Sequence, residues 1–147
     1  MATETILVTG TTKTLEANGA AIANNAVGQA DDATYDIQAD GGGYPDVRFV
    51  LGLTFSVAPT EGTTVALLAR PIDVDGTADA EVPETSRPTV YIGAAIVNNV
   101  TSAQYHEIYA QDVPWKAEYY LHNAGTGQTI AAGWTLKVIP YTVKPAT

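Results

Sequence analysis

The sequence predicts an all-β protein, an antiparallel β-sandwich with strands in a jelly-roll order. The clearest signal is residues 47–58, where apolar side chains recur at every second position, as they do in a strand with one buried face. Clusters of Gly, Pro, Asp and Asn separate about eight or nine short strand-like runs. Helical periodicity is almost absent. Short strands at this spacing are typical of sandwiches, and an up-and-down barrel is the alternative.

Length and composition indicate one soluble domain. The chain has 147 residues, of which 46% are hydrophobic and 16% charged, which is enough apolar material to fold around one core. Sixteen acidic against seven basic side chains leave a net charge of −9, which repels nucleic acid and anionic membranes. Without cysteine, disulfides and thiolate metal sites are excluded. No signal peptide or bilayer-spanning segment is expected, which predicts synthesis in a cytoplasm.

The first 30 residues differ in composition from the rest. Residues 5–9 favour a short strand, but the following segment is rich in Ala, Asn, Gly and Thr. Gly19 and Gly28 oppose a long helix, and most apolar side chains here are small. Two interpretations remain open: a loosely packed pair of strands, or an arm that reaches a neighbouring subunit through residues 11–25. We therefore divide the chain into an irregular segment or arm, 1–30, and a sandwich domain, 31–147.

The first strands of the sandwich domain follow from alternation. Residues 33–39 alternate, and the glycine-rich residues 40–46 predict a turn. The strand over 47–58 should bury Val47, Phe49, Leu51, Leu53, Phe55 and Val57 on one face. A turn at 59–62 leads into the apolar run 65–69.

The remaining strands follow a long acidic loop. In the run 90–97, alternation predicts one shared face for Val90, Ile92, Ala94 and Ile96. Shorter runs at 105–109 and 116–122 precede the last strand, 133–143. Pro140 lacks an N–H donor, so we expect the end of this last strand at a sheet edge or bulge.

The acidic loop between residues 70 and 89 partly resembles a calcium-binding loop. Asp73, Asp75 and Asp79 supply carboxylates at alternating positions, as hard cations require. The match is partial, because Gly76 comes too early for the EF-hand pattern. The alternative is a solvated loop with an Asp-Gly turn. The solvated loop is the favoured interpretation, so no metal and no cofactor are expected; the three aspartates are the candidates for a calcium site.

No catalytic motif is present, so the sequence predicts a protein that is not an enzyme. No serine lies in a nucleophile elbow, and His106 and His122 fall on different predicted strands. Asp31 and Asp32, or the acidic loop, could supply paired carboxylates for glycoside hydrolysis, but nothing in the sequence marks either pair as a pocket.

The aromatic residues divide into core and contact candidates. Trp134 and Tyr119 are expected in the core. Aromatic side chains are enriched in protein interfaces, so we expect contacts with partner proteins at Tyr91, Tyr109, Trp115 and Tyr120. An exposed aromatic platform of a carbohydrate-binding module is the alternative.

Residues 48–141 resemble a family of small virion proteins of tailed bacteriophages. The resemblance lies in the motif order of RFVLGLTFSVAPTEGTTVALLARPIDVDG and YYLHNAGTGQTIAAGWTLKVIPY. It implies a head decoration, or cement, protein on the capsid exterior, which binds the major capsid protein and self-associates as a homotrimer. The family carries no catalytic residues. A carbohydrate- or receptor-binding module of a tail or fibre is the second candidate.

Overall fold

A computed structural model describes residues 4–146, which form two antiparallel sheets packed face to face. This confirms the predicted β-sandwich. The nine strands of the described residues are β1 (Thr5–Thr9), β2 (Lys13–Gly19), β3 (Val27–Asp36), β4 (Asp46–Leu53), β5 (Thr64–Pro71), β6 (Val90–Ile96), β7 (Gln104–Gln111), β8 (Lys116–Ala124) and β9 (Trp134–Pro145). Within residues 4–146, no helix is long and apolar enough to span a membrane.

The strands pair in a nested order. β2 pairs with β9, β3 with β8, β4 with β7 and β5 with β6, all antiparallel, as in a long hairpin that has been rolled up. One sheet has the order β1-β9-β4-β7, with β2 also on β9, and the other has β3-β8-β5-β6. This is the strand order of a jelly roll. It brings the loops 37–45, 72–89 and 112–115 to the same end of the sandwich.

The predicted buried face of β4 forms the centre of the core. Val47, Phe49, Leu51, Leu53 and Phe55 are all buried. The prediction is wrong for Val57, which is exposed, because β4 ends at Leu53 and the regular ladder is followed only by an isolated bridge between Phe55 and Ile130. Trp134 and Tyr119 lie in the core as expected, with the Tyr119 ring 5.0 Å from that of Phe49.

A bulge in β6 changes which residues face the core. Leu67 pairs with Gly93 but Leu68 pairs with Tyr91, so Ile92 is an extra residue in the ladder. Side chains after the bulge therefore face the opposite way to those expected from uninterrupted alternation. Ala94 and Ile96 are exposed, whereas Ala95 and Val97 are buried.

Pro140 itself lies inside the five-stranded sheet, but the end of β9 beyond Tyr141 pairs with β1 alone and so lies at a sheet edge, as expected. Along one edge, β9 pairs first with β2 and then with β1. Pro140 lies opposite the gap between those two strands, and β4 pairs with it on the other side. The carbonyl oxygen of Pro140 accepts the Gly10 N–H at 2.7 Å. In an antiparallel sheet, the N–H and C=O of one residue point to the same side. The side of Pro140 that lacks an N–H therefore faces the gap between β1 and β2, so no hydrogen bond of the sheet is lost.

The N-terminal segment belongs to the sandwich. β1 and β2 pair with β9, and Leu15, with 0% exposure, is fully buried in the core beside Ile22. Gly19 packs so closely on Trp134 that a Cβ there would lie 2.1 Å from the indole. The Trp134 Nε1–H donates to the Ala20 carbonyl at 2.7 Å. These contacts do not fit an arm over residues 11–25. They fit the interpretation as paired strands, in which the small residues of the segment make room for Trp134.

Replacing Leu15 with alanine should lower the free energy of unfolding by about 2–5 kcal/mol, since it removes a fully buried side chain from the core. The matched control is Leu7→Ala on the neighbouring strand. Leu7 is 64% exposed, and its replacement should change stability by less than about 0.5 kcal/mol. Urea denaturation measures both. An effect of Leu15→Ala as small as that of the control would show that β2 is a dispensable arm.

Candidate functional site

A cleft of about 580 Å³ opens at the loop end of the sandwich. Its lining includes Asp36, Ile72, Asp73, Trp115 and Lys116. These residues come from the end of β3, the β5–β6 loop and the start of β8. The nested pairing explains why three segments distant in sequence meet here.

Backbone hydrogen bonds tie the three segments together. The Ile37 N–H donates to the Trp115 carbonyl at 2.9 Å, and the Ile72 N–H donates to the Lys116 carbonyl at 3.0 Å. Pro114 also restricts the backbone just before Trp115. The indole of Trp115 nevertheless remains 69% exposed. The cleft therefore presents a large aromatic ring on a backbone that is fixed from both sides.

Charged groups of both signs surround this ring. Lys116 Nζ lies 2.6 Å from Asp73 Oδ2, and this hydrogen bond raises the pKa of Lys116. Asp36 Oδ1 accepts the N–H groups of Gln38 and Ala39 at 2.8 and 2.9 Å. These bonds fix the Asp36 carboxylate and leave its Oδ2 as an acceptor. The cleft thus offers both donors and acceptors to a polar ligand.

The three calcium candidates bind partners within the protein. Asp75 Oδ1 accepts the N–H groups of Ala78 and Thr77, and these bonds lower the pKa of Asp75. Asp79 accepts the Asp73 N–H and lies 3.7 Å from the Arg70 guanidinium. The carboxylate of Asp73 is held by Lys116. The three carboxylates stabilise the loop and do not converge on a common point.

Within residues 4–146, one group of three acidic side chains has ligand atoms within 4.8 Å of one another: Glu16, Asp31 and Asp32. Glu16 is buried, and its two oxygens accept the N–H groups of Asn18 and Asp31 at 2.9 and 3.1 Å. Asp32 accepts the Ala17 N–H at 2.7 Å. The bonds of Asp31 and Asp32 join β2 to β3, at neighbouring edges of the two sheets. Sequence reasoning noticed Asp31 and Asp32 but missed Glu16, which only the fold brings close.

The four predicted contact aromatics lie in different environments. Tyr91 and Tyr109 are exposed on the outer faces of the four-stranded and the five-stranded sheet, and Trp115 lies at the cleft. Tyr120 is only 5% exposed, so its assignment as a contact was wrong. It packs on Ala66 and Leu68 in a small second cluster, and this burial raises its pKa to about 12.

The outer face of the five-stranded sheet carries a shallow apolar groove of about 220 Å³. We call it the outer-face patch and define it by Leu7, Tyr109, Ile139 and Tyr141. The rings of Tyr109 and Tyr141 meet edge to face, with centroids 6.2 Å apart. Beside them, the Tyr109 hydroxyl donates to Glu107 at 3.0 Å. Sequence reasoning missed three of these residues, although the alternation of β9 places Ile139 and Tyr141 opposite its core face.

Next to this patch, two strands extend beyond the sheet. β4 pairs with β9 only as far as Tyr141, so residues 142–145 pair with β1 alone. We call β1 and residues 141–145 the terminal ribbon. Leu7 and Val143 are exposed on one face of it and Ile6 on the other. An isolated two-stranded ribbon is marginally stable in water, so this element stands to gain from a partner.

The two histidines do not form a site. His106 lies on β7 and His122 on β8, in different sheets. His106 Nε2 is 3.1 Å from Gln104 Oε1, and partial burial lowers the pKa of the imidazole. Both rings are partly buried.

Comparison with known proteins adds no residue assignment. No family model matches this sequence, and no curated protein matches it. The functional argument therefore depends on the cleft, the outer-face patch and the terminal ribbon.

Calcium at micromolar concentrations should give no binding heat, because the carboxylates of Asp73, Asp75 and Asp79 already bind Lys116, loop N–H groups and Arg70. Isothermal titration calorimetry of the wild type and of Asp75→Ala makes the comparison. A sub-millimolar site in the wild type that disappears in Asp75→Ala would restore the calcium-loop interpretation.

Proposed function

We propose that this chain is a non-enzymatic structural protein of a tailed-bacteriophage virion. In this proposal it is a decoration protein that binds the outside of the capsid lattice and stabilises the major capsid protein. The terminal ribbon and the adjoining outer-face patch are the observation that carries it. The sequence resemblance over residues 48–141 points in the same direction.

The terminal ribbon has the properties of a docking element. Ile6, Leu7 and Val143 expose apolar surface on strands that have no third strand beside them. Leu7 and Val143 are paired across the two strands, so their exposed apolar surface is contiguous, and such surface marks interaction sites in soluble proteins. β1 also ends its sheet, so its outer backbone groups are positioned to pair with an added strand. A partner that covers this ribbon would bury apolar surface and complete the sheet.

The outer-face patch has the composition of a protein interface. Tyr109 and Tyr141 provide aromatic surface, and Arg48 lines the same groove, held at 2.7 Å from Glu107. Aromatic residues and arginine are enriched in protein interfaces. Leu7 belongs to both the patch and the ribbon, so one partner could cover both.

The proposal includes assembly as a homotrimer, as the resemblance implies. A trimer would present three ribbons at once to a threefold-symmetric lattice. Binding at one ribbon then raises the effective concentration at the other two, so weak single contacts add up to firm attachment. The net charge of −9 suits an outer layer of many copies, because like-charged particles repel one another in solution.

The second candidate is a carbohydrate- or receptor-binding module of a tail or fibre. Jelly rolls occur in viral capsid proteins and in lectins, so the fold alone favours neither. An extended row of exposed aromatics would favour the module. Tyr105 and Tyr109 share the outer face of β7, but Tyr91 and Trp115 lie on separate surfaces. Two side chains on one strand are a short row, so we propose decoration as the main function.

Substituting both Leu7 and Val143 with serine should weaken binding to undecorated capsids by at least about tenfold, since it removes apolar contact surface from the ribbon. Both side chains are exposed, so thermal melting should stay close to that of the wild type. Co-sedimentation with capsids of the phage that encodes the protein measures binding. The matched control is Val57→Ser, which alters an equally exposed valine in the loop after β4.

Two results would contradict the proposal. If the wild-type protein fails to bind undecorated capsids, the decoration function is wrong. If the folded double variant binds like the wild type, the contact lies on another surface. Sedimentation equilibrium tests the assembly separately, and a monomer at all concentrations would rule out the homotrimer.

A further inference from the structure

We infer that the cleft around Trp115 binds a neutral saccharide, with the indole as its stacking platform. The inference goes beyond decoration and does not depend on it, because the cleft shares no lining residue with the outer-face patch. A decoration protein with such a site could also hold the particle to a sugar-coated surface.

The indole is exposed, and it is carried by a backbone that hydrogen bonds fix. Trp115 is the residue whose carbonyl accepts the Ile37 N–H, and the next carbonyl, of Lys116, accepts the Ile72 N–H. Both bonds fix the backbone on which a 69% exposed ring is mounted. Binding therefore has to order the indole side chain but not the backbone that carries it. Its negative π face attracts polarised C–H groups, which line one face of a pyranose.

The polar groups around the ring suit hydroxyl groups. A sugar hydroxyl both donates and accepts, so it needs acceptors and donors close together. Asp36 Oδ2 and the Asp73 carboxylate accept, and the Lys116 ammonium, 2.6 Å from Asp73, donates. The two carboxylates outnumber the one ammonium. This local charge, together with the net −9 of the chain, disfavours sialylated, uronic and phosphorylated sugars.

The size of the cleft is also suitable. Its volume of about 580 Å³ falls within the range of about 300–1,000 Å³ that is usual for small-molecule sites. The exposed Val74 adds apolar surface to the lining. The cleft opens at the end of the sandwich, so a longer chain could extend beyond it, which suits a segment of an oligosaccharide.

Intrinsic fluorescence can report on this site directly. The chain has two tryptophans, and Trp134 is only 1% exposed in the core. A ligand that stacks in the cleft should therefore change the emission of Trp115 and leave that of Trp134 unaltered. The full-length protein is first screened on an array of oligosaccharides of N-acetylglucosamine, glucose, galactose and mannose. The strongest binder is then titrated by fluorescence and by calorimetry.

We expect a saturable change in the wild type and an affinity at least about tenfold lower in Trp115→Ala. Asp36→Asn should also weaken binding, although it keeps the Oδ1 that accepts the Gln38 and Ala39 N–H groups. The control is Tyr105→Ala, which removes an exposed aromatic ring from β7, outside the cleft, and should bind like the wild type. Circular dichroism verifies that each variant is folded.

The inference is overturned if no oligosaccharide on the array binds the wild type more strongly than it binds Trp115→Ala. It is equally overturned if a bound saccharide is unaffected by both Trp115→Ala and Asp36→Asn. Loss of capsid co-sedimentation in Trp115→Ala, without any saccharide binding, would instead make the cleft a protein contact. Because capsid binding is measured separately on the ribbon variants, failure of this inference leaves the decoration proposal standing.

Discussion

The structure depends on the two-sided pairing of β9. This strand of 12 residues pairs with β4 along one edge, and with β2 and then β1 along the other. Its first residue, Trp134, anchors β2 through contact with Gly19 and a hydrogen bond to Ala20. Further along, Pro140 coincides with the break between β1 and β2. Along β9, the first part therefore lies in the core beside β2, the middle lies where β1 replaces β2 as its neighbour, and the last part forms the exposed ribbon.

The nested pairing also determines what the loops can do. Because β3 pairs with β8 and β8 with β5, their ends meet, and the loops that leave them are neighbours. The backbone bonds from Ile37 and Ile72 to the Trp115–Lys116 peptide units then hold these loops in place. A rigid scaffold with function on its connecting loops is a common division of roles in β-sandwiches. Here the sheet face and the loop end provide two separate surfaces, one apolar and one polar.

Much of the fold could be predicted from the sequence, because alternating apolar and polar side chains identify a strand with one buried face. Phe49 and Leu51 were placed correctly by that rule alone. It failed at Ile92, because a bulge is a property of two paired strands. The contact expected at Tyr120 from its aromatic type failed for another reason, because Ala66 and Leu68 on the outer side of the same sheet bury that ring. For the N-terminal segment, composition left paired strands and an arm open, because it cannot show that the small residues accommodate Trp134 from more than a hundred positions away. The cleft could not be predicted for the same reason, because the residues that line it come together only when the strands pair.

The ribbon has one more consequence. The Ala146 N–H donates to the Glu4 carbonyl at 2.8 Å, so the two ends of the described chain are neighbours. Domains whose termini lie close together tolerate circular permutation. A short linker between the ends, with new termini opened in the exposed loop 72–89, would keep every strand pairing of the sandwich. Such a permuted chain would turn the ribbon into a closed hairpin and make room there for an inserted peptide.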